Sequence, residues 1–397
     1  MAATKRIFIL ILMILLCFSL AACGEKNPDE GDPWVGYQKT DGVFGDQGYY
    51  YQSDSCLYFM DPKQGANVCL CSKIGCPHNT TGDDVAIINC EAYIPSLSYY
   101  PYFFWNGGLY YITDDEYGLH LNRRNAAGQE QSEIGILCSE YIEDSKEVAV
   151  YSYICAGGYL YYMGEVCMIK DGNVVIELCI IRRVNLKSGR EEELVRVPGH
   201  EYLTLWGARA GGMIYQHYEL PEVSSESDYE VQRDKSPSRV IQWNGSEKNS
   251  TVLLEKTLGD GLTYKGISDG KLMYSVKESE GFVVHQYDLE TGKDEKLFEN
   301  SSLFYINDIY ALSADPQTEK RGLFHIPTEQ FLPNIFSTYT LRLKAISTEA
   351  VVLSRNIPYP DDPYAAEKEI FFYILLDDLA DGIQQEDVTD FYIKHFS

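Results

Sequence analysis

After its first 22 residues the sequence lacks long apolar runs, and it is poor in basic side chains. No later stretch approaches the roughly 20 apolar residues of a membrane-spanning helix, so we expect the rest of the chain to fold in water. Its 33 Lys and Arg residues are outnumbered by 59 Asp and Glu residues, which gives a net charge of −26. So acidic a chain argues against nucleic-acid binding and against flat adsorption on anionic lipid.

Catalytic signatures are also missing from the sequence. It contains no Gly-x-Ser-x-Gly elbow, no Walker loop, no dinucleotide fingerprint and no His-Glu-x-x-His motif. We therefore favour a binding or scaffold protein over an enzyme. Long helical periodicity is absent too, except near residues 377–396, where the pattern predicts an amphipathic helix.

The chain begins with a segment that has the layout of a leader. Lys5 and Arg6 precede an apolar run over residues 7–20, and residues 20–23 read Leu-Ala-Ala-Cys. This order is typical of a secretory signal peptide with small residues before the cleavage point. An uncleaved membrane anchor is the alternative, but about 14 apolar residues fall short of the length that spans a bilayer.

The Leu-Ala-Ala-Cys run resembles the lipobox of bacterial lipoproteins. The resemblance implies removal of residues 1–22 and a covalent lipid on Cys23, which holds the protein at the extracytoplasmic face of the bacterial cell membrane. Residues 23–40 begin with a stretch rich in glycine, proline and charge, so we expect them to be a flexible tether. Residues 41–397 are then the ectodomain.

A glycine-tyrosine motif recurs about every 50 to 60 residues along the expected ectodomain. In this motif a glycine precedes apolar and tyrosine residues, which favour strands. The copies lie at residues 48–51, 108–111, 158–162, 212–215 and 270–274, with a weaker sixth at 308–310. A second motif, a turn ending in glycine between two β-rich runs, is clearest at residues 185–194 and 288–297. Because glycine supplies the positive φ of tight turns, the second motif predicts hairpins.

Together the two motifs predict four-stranded units that repeat along the chain, which is the organisation of a β-propeller. Six units are visible and residues 369–375 indicate a seventh, so we predict an all-β propeller with six to seven blades. Stacking such sheets around an axis buries faces that a single sheet would leave in water. A two-domain β-sandwich and a β-solenoid are the alternative folds.

The densest group of chemically reactive side chains is the cysteine insert at residues 69–93, which contains Cys71, Cys76, His78 and Cys90. Three interpretations stay open. The first is a structural zinc site, since zinc takes four nitrogen or sulfur ligands in a tetrahedron. The second is a disulfide, as in many exported chains. The third is a set of reduced thiols.

The insert and the layout of the chain resemble those of propeller-like lipoproteins of Gram-positive, Clostridia-type bacteria. The shared features are Cys-x4-Cys-x-His with a further cysteine after it, the leader, the lipobox and the tyrosine-rich repeats. The resemblance implies the same fold and location, and it brings no activity with it.

An aromatic run at residues 99–105 contains the candidate ligand-stacking side chains Tyr99, Tyr100, Tyr102 and Trp105. Aromatic faces stack on sugars and proteins, so we expect a propeller face to bind a carbohydrate or protein ligand. The alternative is an inter-blade connection followed by a buried strand.

The functional hypothesis is a membrane-anchored extracytoplasmic binding or scaffold protein. A carbohydrate-active or other hydrolase with its site at the propeller mouth is the first alternative. A structural or redox-sensing protein of the cell envelope is the second.

Overall fold

The computed structural model of the chain contains seven antiparallel sheets that follow one another along the sequence. Each is a four-stranded meander, and one gains a fifth strand from the N-terminal segment. These sheets are the blades of a β-propeller, so the predicted fold is confirmed with seven blades. The structure describes residues 32–37, 42–53, 56–61, 66–73, 76, 90–94, 102–143, 146–170, 172–221, 231–278, 281–299, 304–306, 309–314, 321–332, 341–347, 349–357, 368–379, 382–384 and 386–391.

Blades 1 to 3 span residues 42–198 and follow a short first strand, β1 (Val35–Gly36). The strands of blade 1 are β2 (Gly42–Phe44), β3 (Tyr49–Ser53), β4 (Cys56–Asp61) and β5 (Ala66–Cys69). Those of blade 2 are β6 (Tyr102–Trp105), β7 (Gly108–Asp115), β8 (Gly118–Asn125) and β9 (Ser132–Leu137). Those of blade 3 are β10 (Glu147–Ala156), β11 (Tyr159–Lys170), β12 (Asn173–Asn185) and β13 (Glu191–Pro198).

Blades 4 to 7 span residues 201–391. The strands of blade 4 are β14 (Glu201–Arg209), β15 (Gly212–Glu219), β16 (Pro237–Trp243) and β17 (Thr251–Thr257). Those of blade 5 are β18 (Thr263–Ser268), β19 (Lys271–Glu278), β20 (Gly281–Asp288) and β21 (Asp294–Glu299). Those of blade 6 are β22 (Phe304–Tyr305), β23 (Tyr310–Ala314), β24 (Arg321–His325) and β25 (Gln330–Phe331). Those of blade 7 are β26 (Leu341–Ile346), β27 (Ala350–Ile357), β28 (Lys368–Leu375) and β29 (Thr389–Phe391).

Helical structure is limited to short segments in the described part of the chain. The helix α1 (Ser139–Glu143) follows β9, and 3-10 turns cover Glu247–Asn249, Leu258–Asp260, Ile326–Thr328 and Leu376–Leu379. Among the helices that the structure describes, none combines the length and apolar composition required to cross a membrane. For the described residues of the range 377–396 the predicted amphipathic helix is wrong, because β29 pairs with β28 there and completes blade 7. The hydrogen bonds that β29 gains by pairing with the sheet of blade 7 outweigh the local preference of this segment for a helix.

The glycine-tyrosine motif forms the second strand of blades 1 to 5, and its weak sixth copy leads into the second strand of blade 6. Both faces of such a strand are covered by neighbouring blades, so consecutive tyrosines are buried together. In β11, Tyr162 packs in the core between blades 2 and 3, whereas Tyr161 packs in the core between blades 3 and 4. Both side chains are fully buried. The seventh predicted segment, residues 369–375, lies in β28, the third strand of its blade.

The glycine turns close the outer hairpins, as predicted. In the turn between β12 and β13, the side-chain oxygen of Asn185 accepts hydrogen bonds from the N–H groups of the next residues, at 2.9 Å from Ser188. Asp288 caps the equivalent turn of blade 5 with a 2.7 Å bond from the N–H of Thr291. Both turns end at a glycine of positive φ, 69° at Gly189 and 72° at Gly292.

The ring closes by packing rather than by a shared strand. First strands of neighbouring blades contact each other between blades 3 and 4, 4 and 5, and 5 and 6, and β2 of blade 1 contacts both β6 of blade 2 and β26 of blade 7. All the strands of blade 7 come from the C-terminal part of the chain, and those of blade 1 come from the N-terminal part. Among the described residues no strand is shared across the seam between these two blades, and side chains of both blades pack there in one apolar core.

The strand β1 lies inside the ring. It pairs antiparallel with β14, the first strand of blade 4, with Val35 opposite Ala208 and Gly36 opposite Gly207. It also contacts β10 and β18, the first strands of the two flanking blades. The predicted flexible tether over 23–40 is thus ordered at residues 32–37, because an apolar Trp-Val-Gly segment finds a free strand edge in the channel.

Candidate functional site

Three cysteines of the insert meet beside blade 1. The sulfur atoms of Cys71, Cys76 and Cys90 all lie within 4.8 Å of one another. Within the described part of the chain, this is the one group of three or more His, Cys, Asp or Glu side chains close enough to share an ion. We call these three residues the thiol cluster.

The thiol cluster is carried by two tight turns. Cys71 follows the end of β5, and the N–H of Cys76 donates to the carbonyl of Lys73 at 3.2 Å. The other turn runs from Cys90 to Tyr93, whose N–H donates to the carbonyl of Cys90 at 3.1 Å. Tyr93 also forms an isolated bridge with the first residue of β4. Both turns are therefore fixed to the sheet of blade 1.

Ser72 and Glu91 join the two turns. The N–H and the hydroxyl of Ser72 both donate to one carboxylate oxygen of Glu91, at 3.0 and 2.8 Å. These bonds lower the pKa of the Glu91 carboxyl. On the other side, the buried Arg124 of β8 donates to the Glu91 carbonyl and to the hydroxyl of Tyr111. Arg124 thereby ties the cysteine insert to blade 2.

The thiols differ in their electrostatic environment. Burial raises the pKa of Cys71, but hydrogen bonds from the N–H groups of Lys73 and Glu91 and from the neighbouring thiols outweigh it, and the pKa lies below its usual value. Burial raises the pKa of Cys90 to about 12. Cys71 is therefore converted to a thiolate more easily than Cys90.

Two further cysteines lie beside the thiol cluster. A hydrogen bond that the thiol of Cys69 donates to the sulfur of Cys56 raises the pKa of Cys69, and burial adds to this effect. Cys56 and Cys90 both belong to the apolar core between blades 1 and 2. No disulfide joins any of the nine cysteines that the structure describes.

A cavity of about 650 Å³ opens between the cysteine insert and the hairpin of blade 2, and we call it the insert cavity. It is lined by Ser72, Cys90, Glu91, Tyr93, Arg124, Gly128, Gln129, Glu130 and Gln131. The hairpin turn docks closely, since Gly128 has φ 77° and an added Cβ would lie 2.8 Å from the Cβ of Leu70. Carboxylates, carboxamides and one phenol thus converge on a single opening.

Several residues predicted from the sequence fall outside the described part of the chain: Cys23, His78, Tyr99 and Tyr100. The two remaining stacking candidates lie in β6, the first strand of blade 2. Tyr102 packs against the core between blades 1 and 2, and Trp105 packs against the core between blades 2 and 3. Both are half-buried, and their role in ligand stacking stays a prediction.

Most of the described histidines pair with nearby carboxylates rather than with the thiol cluster, whereas His325 contacts the hydroxyl of Thr328 at 2.8 Å. His120 of blade 2 has one ring nitrogen 2.9 Å from Asp115 and the other 2.9 Å from Glu133. Burial lowers the pKa of His120, but these two carboxylates raise it by more than burial lowers it, so the net shift is upward. His217 and His285 have similar acidic neighbours in blades 4 and 5.

No family model matches the chain, and no curated protein matches it. Among solved structures, it is similar to the acylaminoacyl peptidase of Pyrococcus horikoshii, with a TM-score of 0.53 and 7% identity over 94% of this chain and 54% of that one. It is also similar to a mutant puromycin hydrolase complexed with PGG, with a TM-score of 0.52 and 10% identity over 91% and 54%. A puromycin-hydrolyzing peptidase of Mycobacterium tuberculosis matches with a TM-score of 0.50 and 10% identity over 89% and 53%. The chain spans about half the length of these proteins, and the likeness concerns the propeller fold alone.

Proposed function

We propose that the protein is a membrane-anchored extracytoplasmic binding protein that takes up a carbohydrate in the insert cavity. The observation that carries this proposal is the cavity itself, where polar side chains from two blades converge on one opening. Ligand sites are generally concave and carry a few convergent polar groups that fix the orientation of the ligand.

The chemistry of the lining favours a carbohydrate over an apolar ligand. Glu91 and Glu130 offer acceptor oxygens, while Gln129 and Gln131 offer both donors and acceptors, which suits hydroxyl groups that also do both. Tyr93 adds the edge or face of a ring and a hydroxyl. A peptide ligand is the alternative that the binding experiment distinguishes.

Anchoring at the membrane is supported by the Leu-Ala-Ala-Cys run and by the leader that precedes it. We expect Cys23→Ala to move the protein from the membrane fraction to the soluble or secreted fraction. Cys155→Ala, which alters a remote cysteine of blade 3, is the control. Unchanged membrane association of the Cys23 variant would refute the anchor and leave the binding proposal intact.

Ligand binding is tested with the full chain on an array of bacterial and host glycans, with a peptide library beside it. Gln129→Ala and Glu130→Gln remove exposed polar groups at the cavity and leave the hydrogen bonds from Ser72 to Glu91 in place. Each should weaken glycan binding about tenfold, the usual effect of losing one hydrogen bond to a ligand. Glu290→Gln, in the equivalent turn of blade 5, should bind normally. Binding to peptides alone, or equal binding by all three variants, would overturn the carbohydrate assignment.

A hydrolytic enzyme is the second candidate, because the similar solved structures are named as peptidases and a hydrolase. Incubating the full chain with the same glycans and peptides, followed by mass spectrometry of the products, separates the two functions. Cleaved products would favour the enzyme, whereas bound and intact ligand supports the binding protein.

A further inference from the structure

We propose that Cys71, Cys76 and Cys90 bind one zinc ion through their sulfur atoms. Their sulfurs lie within 4.8 Å of one another. Zinc with bonds of about 2.3 Å in a tetrahedron separates its sulfur ligands by about 3.8 Å. The three sulfurs therefore need to move by about 1 Å or less to occupy three corners of the coordination shell.

Backbone hydrogen bonds of described residues hold the chain at each of these sulfurs. Cys71 and Cys76 flank a turn closed by the bond from Cys76 N–H to the carbonyl of Lys73, and Cys90 begins a second closed turn. The Ser72 bonds to Glu91 hold the two turns together. A metal site assembled on such a frame loses little conformational entropy when the ion binds.

A disulfide would bond only two of the three sulfurs, whereas a metal ion can bind all three. The disulfide brings two sulfurs to about 2.05 Å and leaves the third without a covalent partner. A zinc ion engages all three and leaves one coordination position for a fourth ligand. His78, the fourth ligand predicted from the sequence, lies outside the described residues, so the proposal concerns the three cysteines only.

Bound zinc would stabilise one wall of the insert cavity. Cys90 and its neighbours Ser72 and Glu91 line the insert cavity. The ion would link the turn that carries Cys90 to the turn that follows β5. The proposal does not depend on the ligand of that cavity, because metal content is measured without any ligand.

The test uses the full chain, extracted in mild detergent without added chelator. We expect elemental analysis to find about one zinc per chain. Titration of the metal-free protein with Co²⁺ should produce sulfur-to-metal charge-transfer absorption, which reports thiolate ligands directly. Cys71→Ser, Cys76→Ser and Cys90→Ser should each weaken zinc binding at least about 100-fold, since each change removes one of the three sulfur ligands. Cys155→Ala should bind zinc as the unchanged protein does.

A second measurement keeps the proposal testable if the variants fail to fold. Alkylation of the unchanged protein, mapped by peptide mass spectrometry, should spare the three cysteines with zinc present and label them after chelation. A disulfide between any two of them in freshly isolated protein would overturn the proposal. So would copper or iron in place of zinc, the absence of metal at saturating zinc, or full zinc binding by the three serine variants.

Discussion

Replacement of Arg182 by methionine should destabilise blade 3 strongly. Arg182 lies in β12 with its side chain only 7% exposed, and it donates to Glu191 at 2.7 Å and to Glu193 at 3.1 Å. It also pairs with Glu140 of α1, and its guanidinium lies 5.5 Å from the ring centre of Tyr141. Methionine retains most of the volume and removes the charge, so the carboxylates lose their shared partner.

The size of the stability loss depends on which carboxylates remain charged without a partner after Arg182 is replaced. Removing one member of a buried ion pair costs about 3–5 kcal/mol, because the other charge stays without compensation. Glu193 keeps Arg196 at 2.7 Å, and Glu140 is 48% exposed, so both are relieved in the variant. Glu191 is 15% exposed and retains the hydroxyl of Tyr162 as a donor. We therefore expect a loss at the lower end, about 3 kcal/mol.

Equilibrium urea unfolding of the full chain at pH 7, followed by tryptophan fluorescence, measures this loss. The control is Arg183→Met, whose partner Glu192 is 55% exposed, so about 1 kcal/mol or less is expected. Adding Glu191→Gln to the Arg182 variant should recover part of the stability, since it neutralises the stranded carboxylate. Equal stability of the two arginine variants, or no recovery in the double variant, would refute the reasoning.

Two further predictions concern the channel and the pH dependence of stability. In Gly36→Val, an added Cβ would lie 2.3 Å from the hydroxyl of Tyr264. We therefore expect β1 to leave the channel and the amide of Tyr37 to lose its protection in hydrogen exchange. Val35→Ala is the control, and unchanged protection of Tyr37 in the Gly36 variant would contradict the account. For His120→Gln we expect a loss of about 1 kcal/mol at pH 6, where the raised pKa keeps the imidazole charged between its two carboxylates. That loss should shrink as the pH rises through the raised folded value, and a loss that grows with pH would contradict the assignment.

The sequence was sufficient to predict the repeated sheets because blades 1 to 5 share the same buried second strand, and blades 3 and 5 share a clear glycine turn. Tyrosines at adjacent positions in β11 face two different cores, which only a strand covered on both sides allows. Blade 7 was harder to delimit, since its second strand, β27, lacks the glycine-tyrosine motif and only its third strand had a recognisable pattern. The C-terminal helix prediction failed for the related reason that β29 is defined by its partner rather than by its own sequence.

The candidate site was predictable only within a short stretch of chain. The spacing of the cysteines places Cys71, Cys76 and Cys90 in one insert, and the structure brings their sulfurs together. The hydrogen bonds between Ser72 and Glu91 and the cavity shared with blade 2 could not be predicted from the sequence, because serine, glutamate and glutamine are common on loops. Only the docking of one blade against the next brings these side chains to the same opening.

The position of β1 has a mechanical consequence. Tension applied at Asp32 acts on Val35 and Gly36, which pair with the inner strand of blade 4, and on the 2.9 Å bond from the N–H of Tyr37 to the carbonyl of Trp206. Bonds between antiparallel strands lie perpendicular to the strands, so a pull along the channel loads them together in shear rather than one after another. The load enters at the centre of the ring and passes first to the five-stranded sheet of blade 4, to which β1 is hydrogen-bonded. It does not enter through the seam between blades 1 and 7, where the described residues of the two blades meet by side-chain packing.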